Sequence, residues 1–407
     1  MKWSSSVSDS PSLDDAVAAC ASDVREELGG QPADLTVVFV SAHHASGYDR
    51  LPDLVRRHIG DSLLVGCSGG GVIGAGREIE DRPGLALTCA RLPEVELTPF
   101  HVENEGLPDG DAPPQEWEDL VATPARPGPG PHFILLADPF SVAADKLVEG
   151  LDFAFPTSAK IGGLASGAQQ PLGNALFLAD RVHDSGAVGV SMRGDIDVDT
   201  VVAQGCRPIG EPMRVTSCSG HVLRELDERA CMEALQEVFE GLTEPDQRLA
   251  QHSLFLGVVM DPLNDSPGPG DFLVRNIIGA NQDHSSLVIG EVLREGQTVQ
   301  FHLRDAETSA QDLDAMLAGY AAKNPIYEET GALLFSCLGR GMHLYGRADH
   351  DTDMFRTLVS PMPLTGFFCN GEIGPVGGST YLHGYTSAFG IFRPRRGSEG
   401  SGLGAGE

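Results

Sequence analysis

Three cysteines stand where apolar runs give way to glycine-bearing loops: Cys67 in Gly66-Cys67-Ser68-Gly69-Gly70, Cys337 in Cys337-Leu338-Gly339-Arg340-Gly341, and Cys369 in Cys369-Asn370-Gly371-Glu372. A thiol in such a place is a small buried hydrophobe, a piece of pocket wall or, with a lowered pKa, a nucleophile. Residues 66–70 also satisfy G-x-S-x-G, which would set Ser68 on a nucleophile elbow. That elbow needs a helix directly after it, and Gly71-Val72-Ile73-Gly74-Ala75-Gly76, with Pro83 soon following, is a poor helix former. Residues 69–74 satisfy G-x-G-x-x-G and lack the same helix, so a dinucleotide turn does not follow either. Thiol- or Ser-dependent acyl transfer at Cys67 or Ser68 stays open as an alternative. It requires a His within hydrogen-bond reach.

Arg340 lies between two glycines, in a loop whose backbone can approach a ligand, and its planar fork suits a carboxylate. The plain alternative is a surface arginine. Glu372 can hold an ammonium group or, more plainly, accept backbone N–H bonds in a turn. With Ser68, Gly69 and Asn370 these residues and the three cysteines make up the candidate ligand-binding set. His43 and His44 are adjacent and point to opposite faces of a strand. The other histidines show no HxxxH or HxH spacing, so neither a metal nor a cofactor is expected.

The elements that must position these residues recur. The apolar run at residues 35–40 leads through a short helix near 52–58 to a second run at 63–65 and the first glycine cluster. Residues 133–136 lead likewise to Gly162-Gly163. Phe39 stands 28 residues before Cys67, and Leu135 stands 28 before Gly163. The last glycine segment can be laid on the first without a gap, matching Cys67 with Cys369, Gly69 with Gly371, Gly76 with Gly378, Ala86 with Ala388 and Arg91 with Arg393. Helices are expected at 14–28, 227–242, 308–321 (Thr308 and Gln311 at capping-box spacing) and near 354–359, with strands at 254–260, 273–278, 287–289 and 298–303. Residues 104–131, rich in Pro, Gly and acid, read as a mobile loop. Alternating strands and helices, with links near the glycine segments too short for crossover helices, imply an α/β (mixed α+β) fold of mixed sheets covered by helices.

The 407 residues suit two or three domains. The formal net charge of -30 makes nucleic acid and anionic membrane surfaces poor partners. No run approaches the ~18 apolar residues of a membrane span. Eight cysteines without a CxxC pair read as free thiols in a cytoplasmic setting.

Gly366-Phe367-Phe368-Cys369-Asn370-Gly371-Glu372-Ile373-Gly374-Pro375, with Leu382-His383-Gly384-Tyr385-Thr386 after it, resembles the closing motif of the FIST C-terminal domain. Residues 332–341 resemble the strand and loop before that motif, and Gly66-Cys67-Ser68 and Gly162-Gly163 resemble the matching positions of the FIST N-terminal domain. The resemblance spans residues 33–393. It implies an N-terminal domain at 33–215 and a C-terminal domain at 216–393, with the helix and flank at 1–32 before them and the Gly- and Ser-rich residues 394–407 read as a disordered tail. It also implies a non-enzymatic intracellular sensor of a small, amino-acid-like ligand. Some members carry an F-box or output domain; with fewer than 35 residues before the first expected strand, signalling is expected through a separate protein partner. On that reading Arg340 grips the ligand carboxylate, Glu372 its ammonium, and Cys67, Cys337 and Cys369 shape the wall. A protein-binding scaffold with an acidic face is the other alternative.

Overall fold

The computed structural model describes residues 1–124, 126, 128, 130–264, 266–281 and 285–395. The expected tail lies, from residue 396 onward, outside the described residues.

Three six-stranded mixed sheets are copies of one plan. Each copy runs edge strand, covering helix, strand, crossover helix, parallel strand, hairpin and returning antiparallel strand. In the first module the edge strand is Lys2–Ser8, the parallel pair is Leu35–Ser41 and Leu63–Gly69, and the returning strand is Leu85–Arg91. In the second the corresponding strands are Val95–Val102, His132–Ala137, Lys160–Leu164 and Ala187–Gly194. The third uses Asp197–Gln204, Gly331–Cys337, Leu364–Cys369 and Thr386–Arg393.

The hairpins do not stay at home. The hairpin of the first module (Gly71–Gly74, Arg77–Glu80) completes the third sheet, that of the third (Glu372–Val376, Ser379–His383) completes the second, and that of the second (Leu176–Leu178, Arg181–His183) completes the first. One core joins the three, with Phe39, Ile134, Ile161, Phe335 and Phe367 in a single apolar cluster. Phe39 stacks on Phe367 with ring centroids 4.7 Å apart.

A glycine fixes the register of each parallel pair. Gly66 lies opposite Val38, Gly162 opposite Leu135 and Gly366 opposite Leu334. A Cβ on these glycines would sit 1.9, 1.7 and 1.8 Å from the carbonyl oxygens of those partners, so no side chain fits. This equivalence corrects the sequence spacing. The second copy has one residue fewer than the 28 read from Leu135 to Gly163, and Cys67 corresponds to Gly163 and Phe367 rather than to Cys369. Two extra residues separate the register glycine from the hairpin turn in the third module, Gly366 to Gly378 against Gly66 to Gly76. From there on the gapless match is restored: Ala86 lies opposite Phe39 as Ala388 lies opposite Phe335, and Gly76 and Gly378 both take positive φ in their turns.

Residues 206–304, between the edge strand and covering helix of the third module, form a separate seven-stranded sheet. Pairing of Cys206–Ser219 with both Thr298–Arg304 and Val222–Leu226 closes it into a barrel with its own apolar core. Helix Cys231–Glu240 packs Leu235, Val238 and Phe239 against that core.

Two further expectations change. The segment read as a loop at 104–131 carries the helix Pro114–Leu120, because Trp117 is buried against Gly150, where a Cβ would fall 2.3 Å from the indole; residues 125, 127 and 129 lie outside the described residues. The helix expected from Thr308 begins earlier, at Ala306, since the Asp305 carboxylate accepts the Thr308 N–H at 2.7 Å and caps it. Among the described residues no helix is long and apolar enough to cross a membrane.

Candidate functional site

The ends of the three parallel pairs converge and are stitched together. Ser166 N donates to Ser68 O at 3.1 Å, Gly70 N donates to Ser166 Oγ at 2.9 Å, and Ser166 Oγ donates to Phe368 O. Asn370 N donates to Leu164 O at 3.1 Å, and Leu164 N to Gly371 O at 2.8 Å. The glycine loops therefore cluster as the sequence implied, but they close on one another at this point instead of framing a hollow.

Ligand candidates from the first module sit inside this closure. Cys67 is fully buried in the shared core, which pushes its thiol pKa well up. Ser68 Oγ donates to Asn174 Oδ1 at 3.3 Å and accepts from Ala175 N at 2.9 Å, while Asn174 donates to Asp138 at 2.9 Å. That chain of side chains anchors the loop before the 176–183 hairpin, and it contains no imidazole. Gly69 is packed against Phe367.

The expected grip of Arg340 on a ligand carboxylate is not the geometry found. Its guanidinium is fully buried, with Nε 2.8 Å and Nη2 3.2 Å from the two oxygens of Asp351. Asp351 also accepts from Ser387 Oγ at 2.6 Å and lies 2.9 Å from His350 Nδ1. Charge and hydrogen bonds outweigh burial and hold the Asp351 pKa far below the usual carboxylate range. Glu372, likewise buried, accepts from Thr386 N at 3.0 Å and Thr386 Oγ1 at 2.8 Å, and burial lifts its pKa to about 7. Both residues answer to protein partners.

The other three candidates lie at a groove, although the Cys369 side chain is itself buried. Cys337, Cys369 and Asn370 line a groove of about 1100 Å³ between the barrel and the second and third modules. Burial raises the Cys337 pKa to about 11, so its thiol is not activated. Exposed Leu338 and neighbouring Gly339 form the lip on this side. The two walls differ in charge. The barrel contributes Arg214, Arg275, Arg294 and His221, with Arg275 tied to Glu291 at 2.7 Å. The helix Ala144–Ala154 contributes Asp145, Glu149 and Asp152, the last held by Lys160 at 2.7 Å. A smaller hollow of about 200 Å³, lined by residues including Pro52, Arg56, Leu64 and Ala179, contains none of the candidates.

Sequence reasoning missed the barrel wall, the acidic helix and Arg304. Arg304 ends the strand Thr298–Arg304, one residue beyond the alternation that revealed that strand. Its guanidinium carbon lies 4.9 Å from the ring centroid of Tyr385, a groove residue. No local pattern marks it, since only the barrel's placement brings it there.

The FIST N domain profile matches residues 34–229 and the FIST C domain profile residues 231–375. The uncharacterized protein Rv0628c of Mycobacterium tuberculosis is 36% identical over 386 residues, covering 95% of this chain and 98% of the relative. The uncharacterized protein Mb0898c of Mycobacterium bovis is 35% identical over 382 residues, covering 94% and 96%. An F-box/LRR-repeat protein of Arabidopsis thaliana is 30% identical over 115 residues, 28% of this chain and 22% of that protein. FIST domains are described in general as sensory, ligand-binding domains of signalling proteins. With both profiles matched along most of its length, the chain belongs to the FIST family.

Proposed function

We propose that this protein senses a small amino-acid-like metabolite, binding it in the groove between the barrel and the three-module body and signalling its presence to a separate protein partner. The observation that carries this reading is the opposition of charge across the groove, with arginines on the barrel wall and carboxylates on the facing helix. A zwitterion satisfies both walls at once, whereas a simple anion or cation meets repulsion from one. The walls also pack on separate cores, so a ligand that bridges them favours one relative placement over others. The described histidine contacts bring no imidazole to Ser68, and Cys67 lies in the core, so this reading assigns neither a catalytic role.

Thermal denaturation with each of the common amino acids and related amines and acids at millimolar concentration tests the proposal. Binding to the native state raises Tm by mass action, and at least one zwitterion is expected to do so. No response to any compound would refute ligand sensing of this class.

A further inference from the structure

Resting on that reading of the groove, we infer that Arg304 is its anion anchor and that the metabolite presents a carboxylate to it, the role that sequence reasoning gave to Arg340. Arg304 is 9% exposed, and its Nε and Nη2 have no hydrogen-bond partner among the described residues. These two nitrogens form the edge of a guanidinium that grips a carboxylate with parallel hydrogen bonds. Two other arginines have that edge filled. Arg340 uses it on Asp351, and Arg393 on Asp199 at 2.8 and 3.0 Å. A buried cation without an acceptor carries a desolvation penalty that a carboxylate placed against it offsets.

The guanidinium lies directly beneath the groove floor. It stacks on Tyr385, and a Cβ added to Gly339 would come 2.6 Å from its Nη1. Tyr385 and Gly339 both line the groove, so at Gly339 the cover is backbone alone. Two-oxygen recognition on this side and Asp145 and Glu149 on the other select an α-amino or ω-amino acid. They disfavour a phosphomonoester, whose second negative charge the acidic helix repels.

The test uses the full chain, titrated calorimetrically with amino acids that stabilise it and with their carboxamides, which keep the ammonium and lose the carboxylate. Wild type is expected to bind the acid at least tenfold more tightly than the amide. Arg304→Lys, which keeps the charge but not the fork, is expected to weaken the acid at least tenfold. Gly339→Ala, which displaces the guanidinium without removing it, is expected to do the same and decides the matter if Arg304→Lys does not fold. An acid bound equally by wild type and the folded variants, or an amide bound as tightly as its acid, overturns the assignment of Arg304 while leaving the groove as the ligand site. Absence of binding by any acid to wild type overturns both.

Discussion

Arg340 and Asp351 are a pair from which solvent is excluded, and their partners Ser336, Ser387 and His350 lie along the strand ends and helix of the third module. Such pairs fix geometry more reliably than they add stability. Beside them, Glu78 from the exchanged hairpin accepts the Thr352 N–H at 3.0 Å, with burial and the Asp351 charge raising its pKa to about 8. Glu372 behaves alike, lifted from an ordinary value of 4.5 to about 7. A carboxyl whose pKa is raised on folding binds protons more tightly in the native state. Its contribution is full below pH 4.5 and is lost as pH climbs through 7. Glu372→Gln should therefore flatten the fall in stability between pH 5 and 7 and raise Tm at pH 8 by about 1 °C per kcal/mol recovered in a chain of this length. The decline toward pH 8 that belongs to Glu78 should persist. A Glu372→Gln profile parallel to wild type across this range, followed by circular dichroism, would show that burial does not lift the Glu372 titration into it.

At the level of elements, the glycines opposite Val38, Leu135 and Leu334 explain both what the sequence made legible and what it hid. Strands and crossover helices were readable because apolar runs and glycine clusters repeat with them, and the barrel strands because they alternate. The edge strand Lys2–Ser8 was not readable. Three of its residues are serines whose hydroxyls bond Glu27, Thr365 and Asp23, so a polar run fills a sheet position. The destinations of the hairpins were also invisible, since nothing local in Gly71–Gly74 names the strand Leu364–Cys369 as its neighbour. For the site, Cys337, Cys369 and Asn370 were placed at the groove by their position at strand ends. Arg340 and Glu372 were marked for the ligand because flanking glycines signal close backbone approach, and the approach is to Asp351 and Thr386 instead. If the glycines are needed for strand approach, Gly366→Ala and Gly162→Ala should each cost about 3 kcal/mol or more, since strain at a fixed backbone contact is among the large effects of single substitutions. Urea denaturation of the two variants measures this, and a loss below about 1 kcal/mol would mean the strands can part to admit a methyl group.

Across the whole molecule, the three modules share one central core, each sheet has a further core beneath its own helices, and the barrel has a core of its own. Hydrogen exchange in the native state should reflect that division. Amides of Leu35–Ser41, His132–Ala137 and Gly331–Cys337 are expected to share one opening free energy, with those of Leu254–Val259 opening separately and more easily. Three different values for the three modules would contradict the common core.

The circulating hairpins carry a consequence for how such a chain can change. Every module lends a ribbon to one neighbour and borrows one from the other, so the ring has no spare member and no detachable one. Loss or duplication of any third would leave one sheet bare and one ribbon homeless. The joints between strands are where a segment can be accommodated without breaking the exchange, and the barrel stands at such a joint after Asp197–Gln204, where it supplies one wall of the groove.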